Sequence, residues 1–366
     1  MLFLLDCKKK LMFNNNLQIY KNLKIIVTGS TGFKGAWLCF WLNILGAKVV
    51  GIALKPEKGS ILFDKLTLSK KIKQIYLDIN NFKKLNQIIK KEKPDIIFHL
   101  AAQSVVSESY INPIVTMKTN VIGSANVLES VRLNKVKNLI YITSDKCYLN
   151  DGRKTLYSED DILGGEDLYS ASKACAELTF EAYYKSFLLK DKKLSYATTR
   201  AGNVVGGGDM KKDRIVPDVI KSLKNRKPLI IRSPDATRPW QHVLEPISGY
   251  LRLGELLINK KLSTSLKPNW NFGPNPVNCK PVLQIVKEII TCWGEEKKIN
   301  IIKSKKFKEA KLLMISNNKA KKELNWSPTL TFKETIKITV EWYKNCFYEN
   351  KIEETTRKQI EYFSKK

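Results

Sequence analysis

Histidine is almost absent from this 366-residue chain: only His99 and His242 are present, and no cysteine or second histidine stands at zinc-ligand spacing from either. Metal-assisted catalysis is therefore not expected, and no metal ligand is assigned. The seven cysteines, at 7, 39, 147, 175, 279, 292 and 346, include no CxxC pair and stand mostly in apolar or helical text. An odd, unpatterned set argues against a disulfide framework and for reduced core residues of a cytoplasmic protein. Long apolar runs are missing too. The most apolar stretch, Ala36 to Leu54, is broken by Asn43, Gly46 and Lys48, which excludes a membrane span. The opening MLFLLDCKKK carries its charges after its apolar residues, the reverse of a secretory signal. Met12 is a second candidate start, and residues 1–11 are expected to be either unstructured or wrongly assigned to the chain.

Acidic residues are scarce. Asp and Glu number 35 against 64 Lys and Arg, a formal charge of +29. Such a balance ordinarily points to nucleic acid or an anionic membrane. Its make-up points elsewhere: nine are Arg and 55 are Lys, spread from Lys8 to Lys366, whereas readers of bases and phosphates cluster Arg forks. A solvated, Lys-rich surface is the better reading, and the Lys-rich stretch 303–322 reads as a charged helix face. What the chain does have is apolar bulk. With 43% hydrophobic and 10% aromatic residues it can bury a sizeable core in one or two domains.

Ile- and Val-rich runs alternate with amphipathic segments through the first 200 residues, the rhythm of βαβ units. The pattern predicts strands at Lys24–Thr28, Lys48–Ala53, Gln74–Leu77, Asp95–Ala101, Asn138–Ser144 and Ser195–Arg200. Helical periodicity covers Phe33–Leu45, Asn81–Lys91, Pro113–Leu133 and Tyr169–Leu189. The fold class is α/β, a Rossmann-type doubly wound parallel sheet whose ligands lie beyond the carboxyl ends of the strands. After Arg200 come Gly206-Gly207-Gly208 and prolines at 217, 228, 234, 239, 246, 274, 276 and 281, the text of a smaller, loop-rich cap. The expected division is an N-terminal extension at 1–20, a dinucleotide-binding domain at 21–200 regained near 240–260, a cap at 201–350 and a tail at 351–366.

The first predicted strand runs into Gly29-Ser30-Thr31-Gly32-Phe33-Lys34-Gly35 and then a helix. Glycines permit the tight turn and close backbone approach, and the helix N-terminus offers N–H groups to a pyrophosphate. Gly29, Thr31, Gly32, Phe33, Lys34 and Gly35 are the resulting cofactor candidates. Asp78 and Ile79 after the third strand, Leu100, Ala101 and Ala102 at the end of the fourth, and Tyr169 and Lys173 complete the list. No acidic residue closes the second strand, where Ala53 is followed by Lys55 and Glu57, so this stretch does not separate NAD from NADP. A second constellation joins Ser144, at a strand end, to Tyr169 and Lys173 at i,i+4 on one helix face. An ammonium so placed lowers the phenol's pKa and lets tyrosinate act as a base near neutrality.

These elements resemble the extended short-chain dehydrogenase/reductase family, the NAD-dependent epimerases and dehydratases. Further strings narrow the resemblance to the CDP-glucose 4,6-dehydratase branch: Phe98-His99-Leu100-Ala101-Ala102-Gln103, Thr119-Asn120-Val121, Thr143-Ser144-Asp145-Lys146-Cys147-Tyr148, the Arg200 to Asp209 segment RAGNVVGGGD, and the Arg238 to Pro246 segment RPWQHVLEP. It covers residues 17 to 345. The resemblance implies bound NAD, a CDP-glucose substrate held by the cap, and a redox-neutral elimination at the start of deoxysugar supply for surface polysaccharides such as O-antigen. It implies that Tyr169 takes the 4-hydroxyl proton, that Lys173 tunes it, that Ser144 hydrogen-bonds that hydroxyl and that Asp145 protonates the departing 6-hydroxyl. Such an acid should sit in a closed, poorly solvated site. Lys146 stands where many sibling dehydratases carry Glu. As a base it needs a depressed pKa; otherwise it stabilises the enolate.

By the same resemblance Asn203, Arg238 and, more weakly, Arg214 hold the substrate's pyrophosphate, Gln103 faces the sugar, and Asn120 supports the catalytic strand. Tyr148 is expected near the nicotinamide, Trp240, Trp270 and Trp293 in the cap core, and His99, Cys147 and Cys175 as buried packing residues. No acid–base partner is identified for His242. Relatives pair through helices around 113–134 and 169–189, so a homodimer is expected. The alternatives are another nucleotide-sugar dehydratase or 4-epimerase, and a non-catalytic RNA-binding protein of the same fold motivated by the +29 charge.

Overall fold

Continuous burial marks the inner strands Ile96–His99 and Asn138–Ile142, as it must where helices cover both faces of a parallel sheet, while the edge strand Lys73–Tyr76 has no fully buried residue. In a computed structural model, which describes residues 15–56, 61–191, 193–211, 214–231, 233–262, 267–294, 299–301 and 312–366, β1 is Lys24–Thr28, α1 Phe33–Ile44, β2 Lys48–Ala53, β3 Lys73–Tyr76, α2 Phe82–Glu92 and β4 Ile96–His99. The readings placed on residues 1–14, on Cys7, on Glu57 and on 303–311 lie outside the described residues. Next come α3 Val106–Ile111, α4 Pro113–Met117, α5 Ser124–Leu133, β5 Asn138–Ile142, α6 Leu168–Tyr183 and β6 Ser195–Ala201. A π-helical turn at Lys118–Gly123 joins α4 to α5.

Among the described residues seven strands form one sheet, ordered β7-β6-β5-β4-β1-β2-β3, in which β7 is Asn269–Phe272. Every pairing is parallel, with Ile25 opposite both Val49 and Ile96 and Trp270 opposite Thr199. The sequence pattern did not predict β7, because Asn-Trp-Asn-Phe lacks the β-branched signature. β4 and β5 stop at His99 and Ile142, earlier than the apolar pattern suggested.

Two clusters of buried side chains sandwich the sheet. One holds Ile26, Ile97, Leu139 and Tyr141 against α2, α5 and α6. The other is continuous from Ile25, Val27 and α1 to the cap residues Trp240, Ile285, Trp293, Ile336 and Trp342, so both lobes share one core. α1 is buried from Gly35 to Leu42, consistent with a helix apolar on all sides. Trp270, expected in the cap, instead belongs to β7 of the main sheet.

The later helices are α7 Ile215–Lys224, α8 Leu244–Ile258, α9 Val282–Trp293, α10 Phe332–Lys344 and α11 Ile352–Ser364. α8 packs against β5, β6 and α1, while α9 packs against α7 and α10 in the cap. Thr331 and Glu334 close α10 with a reciprocal capping box. The tail expected at 351–366 is a docked helix: Phe363 packs edge-on to Trp41 with ring centroids 6.0 Å apart, and Arg357 lies over Phe40. The expected extension also contributes to the core, since Tyr20 is fully buried and its hydroxyl donates to the Leu251 carbonyl at 2.6 Å. No helix among the described residues is long and apolar enough to cross a membrane.

Candidate active site

The β1–α1 turn is built by backbone contact. Gly29 has φ +74°, and a Cβ there would stand 2.8 Å from the Ala101 nitrogen; one on Gly35 would stand 2.0 Å from the Gly29 oxygen. Thr28 Oγ1 fixes the opposing β4 loop by accepting from the Leu100 and Ala101 amides at 3.1 Å. Gly32 caps α1 without a side chain, leaving the first-turn N–H groups for an anion. Thr31 Oγ1 donates to the Leu54 carbonyl at 3.1 Å, and Ser30 donates to Gln74 at 2.9 Å, tying the turn to the second and third strands. This glycine cradle at a helix N-terminus fits a dinucleotide pyrophosphate. Asp78 is exposed, and its Oδ1 accepts from both nitrogens of Asn80 at 2.9 Å in a local turn. Ile79 is buried beside Gly123.

At the end of β5, Ser144 caps a 3-10 turn, Asp145–Cys147, and its hydroxyl donates to Asp145 Oδ1 at 3.0 Å. Asp145 is 3% exposed. Its other oxygen faces Gly202, where a Cβ would approach to 3.2 Å. Asp167 caps α6 by accepting from the Ser170 amide at 2.9 Å and its hydroxyl at 2.7 Å. The cap sets Tyr169 and Lys173 on the inward face, with Lys173 Nζ 5.9 Å from the tyrosine ring centroid.

The electrostatics differ from the expectation of a phenol tuned down by Lys173. Burial pushes the Tyr169 phenol up to about 12; the Ser144 hydroxyl draws it down, Asp145 raises it and Arg214 opposes that rise. Desolvation outweighs the neighbouring cations in the bare protein. Burial likewise lowers Lys173 to about 8, helped by the charge of Lys34. Lys34 is itself lowered to about 8 by burial, partly offset by Asp145 and reinforced by Arg214. Asp145 thus feels the charge of Lys34, and Tyr169 that of Arg214. Sequence reading placed Lys34 only in the glycine turn, and the α1 register that carries it into the reacting centre leaves no signal in composition.

Gln103 is spent on its own loop: its amide group donates to the Val105 carbonyl at 3.0 Å and Thr116 at 2.9 Å and accepts from the Val105 amide. Asn120, 1% exposed, accepts from the Gln103 amide and donates to Ser172, bracing the β4 loop against α6 rather than the catalytic strand. Asn203 follows β6 and is half-buried. Arg214 pairs with buried Asp209 at 2.7 Å. Arg238 lies in the strand Thr237–Pro239, antiparallel to Cys279–Pro281, and donates to the Thr237 carbonyl. Tyr148, expected near the nicotinamide, is buried behind the strand end, its hydroxyl between Arg200 and Asn271. His99 is satisfied by Thr28 at 2.7 Å and Ser124 at 3.0 Å, and burial holds it at about 3, hence neutral. His242 is fully buried, accepting from the Leu244 amide. Burial pushes the Cys147 thiol up, which removes it as a nucleophile.

Known proteins match this arrangement over most of its length. The family described as GDP-mannose 4,6 dehydratase matches residues 26–339. The CDP-glucose 4,6-dehydratase of Salmonella typhimurium is 40% identical over 330 residues, 89% of this chain and 91% of that protein. The dTDP-glucose 4,6-dehydratase of Bacillus anthracis, solved in complex with NAD, superposes with a TM-score of 0.74 at 25% identity, covering 90% of this chain and 98% of that one. The UDP-glucose 4-epimerase of Thermotoga maritima shares the fold, with a TM-score of 0.77 at 22% identity over 88% of this chain and 99% of that one.

Proposed function

Because the chain belongs to the GDP-mannose 4,6 dehydratase family, we propose that it converts CDP-glucose to CDP-4-dehydro-6-deoxy-D-glucose with NAD as bound cofactor, an internal redox-neutral loss of water. The observation that carries the reading is buried Asp145 beside Tyr169: a 4-epimerase needs no acid for a 6-hydroxyl, whereas a dehydratase does. CDP as the nucleotide is supported by the 40% identity to the Salmonella enzyme. A cytoplasmic setting fits a nucleotide-sugar substrate and the free, buried Cys39 and Cys147.

Gly29, Thr31, Gly32, Phe33, Lys34 and Gly35 would hold the cofactor against Leu100, Ala101 and Ala102. When bound, NAD supplies a temporary acceptor for the C4 hydride and returns it at C6. Tyr169 takes the 4-hydroxyl proton while Ser144 hydrogen-bonds that oxygen, and the Ser144 hydroxyl and the Arg214 charge lower the cost of the phenolate. The C5–H and C6–O bonds then break. Lys146, next on the turn, takes the C5 proton on its amine, while Asp145 gives its proton to the C6 hydroxyl, which departs as water and leaves a carboxylate beside Lys34. Asn203 and Arg238 hold the diphosphate.

Supplying CDP-, dTDP-, UDP- and GDP-glucose separately tests the reading. A 4-keto-6-deoxy product is expected from CDP-glucose, and with deuterium at C4 the label should reappear at C6 of the same molecule. Label released to solvent or retained at C4 would contradict the internal hydride return.

The same reading includes a homodimer. Tyr110, Ile111 and Ile114 are 67%, 71% and 76% exposed, and Val115, Ile122, Leu178 and Phe187 are also open on adjoining helices. An apolar face of this extent suits a self-complementary four-helix contact. Replacing Ile111 and Ile114 together by Asp is expected to give a monomer by sedimentation, and a dimer that persists would remove this face as the contact.

A further inference from the structure

Behind the reacting groups lies an ion pair, Arg200 to Glu177 at 2.9 Å, with both side chains 3% exposed. Glu177 is four residues beyond Lys173 on α6. Its carboxylate also receives the hydroxyls of Thr143, immediately before Ser144, and of Thr198 at 3.0 Å. From Arg200, which leads into Gly202 and Asn203, the second guanidinium nitrogen donates to the Tyr148 hydroxyl at 2.7 Å, with the guanidinium carbon 4.9 Å from the centre of that ring. The Tyr148 hydroxyl donates onward to Asn271 Oδ1 of β7 at 2.9 Å, and the backbone N–H of Asn271 donates to the Glu159 carboxylate at 2.8 Å. One buried network therefore joins the end of β5, the Asp145–Cys147 turn, α6, β6 and β7. A buried ion pair contributes little net stability compared with apolar packing. Its use here is geometric.

We infer that Arg200, Glu177 and Tyr148 are positioning residues, with Tyr148 holding the Asp145-Lys146 turn in register for elimination while Glu177 holds α6 and its Tyr169/Lys173 pair in register for oxidation. This rests on the proposed dehydratase reading. The division follows from connectivity. Tyr148 closes the turn that carries Asp145 and Lys146, and removing its hydroxyl leaves the bonds among Glu177, Arg200, Thr143 and Thr198 in place. Tyr169 and Lys173 depend instead on the Asp167 cap and Glu177.

The holoenzyme variant Tyr148→Phe tests the inference in single turnovers with CDP-glucose, followed at once by reduced-nicotinamide absorbance and by quenched 4-keto-6-deoxy product. Cofactor reduction is expected within about twofold of wild type while product formation falls about 10²-fold at unchanged KM, the cost of a displaced catalytic group. Asn271→Leu, which removes the hydroxyl's acceptor from the far side, is expected to reproduce the split. A merely structural role would slow both steps together or neither, and either result in both variants overturns the inference. A wild-type enzyme that makes no such product from any nucleotide-glucose overturns instead the reading on which it rests.

Discussion

Replacing Tyr169 by Phe is expected to lower turnover by about 10²–10⁴-fold, the usual contribution of a positioned general base, with little change in thermal stability. Tyr169 is 7% exposed, and Phe keeps the ring that fills this position. The wild-type rate should rise with pH through neutrality, because a phenol held up at about 12 gains its basic form with each unit. A pH–rate profile of both proteins checks the assignment. Comparable turnover in the Phe variant, or a wild-type rate independent of pH, would remove Tyr169 as the base.

Gly35→Ala should abolish cofactor binding more completely than Gly32→Ala. The first places a methyl 2.0 Å from the Gly29 oxygen, the second only 3.3 Å from it. No rotamer relieves a backbone clash at the shorter distance, so the turn must open. Overpacking costs of this kind convert to a loss of NAD affinity of about 10²-fold or more for Gly35→Ala, and to less for Gly32→Ala. Titration of each apo-protein with NAD gives the order directly, and equal affinities would show that the turn does not receive the dinucleotide.

Much of this architecture is legible in the chain because buried parallel strands leave continuous apolar text, as in Lys24–Thr28 and Asn138–Ile142. The glycine turn and the Tyr169/Lys173 spacing are legible for a similar reason, since a backbone contact and a helix face each demand fixed residue types at fixed intervals. What escapes is set by tertiary partners. Asn271 is a strand residue only because Arg200, Tyr148 and Glu159 complete its surroundings. The amide of Gln103 has donors and acceptors fit for a sugar, and Val105 and Thr116, on the segment that follows it, consume them. α11 does carry an apolar face in Ile352, Ile360 and Phe363, but the Lys and Glu between them give it the composition of a solvated tail. The phenol's ionisation depends on desolvation, which spacing alone does not report.

The place of β7 has a consequence for synthesis. The outermost strand beside β6 is drawn from residues 269–272, and α8 at 244–258 covers the face of β5 and β6. A chain emerging from the ribosome with only its first 200 residues therefore exposes the flank of β6 and the apolar face above it, an invitation to aggregation. The nucleotide-binding lobe gains its last strand and the cover of that face only once residues 244–272 have been made.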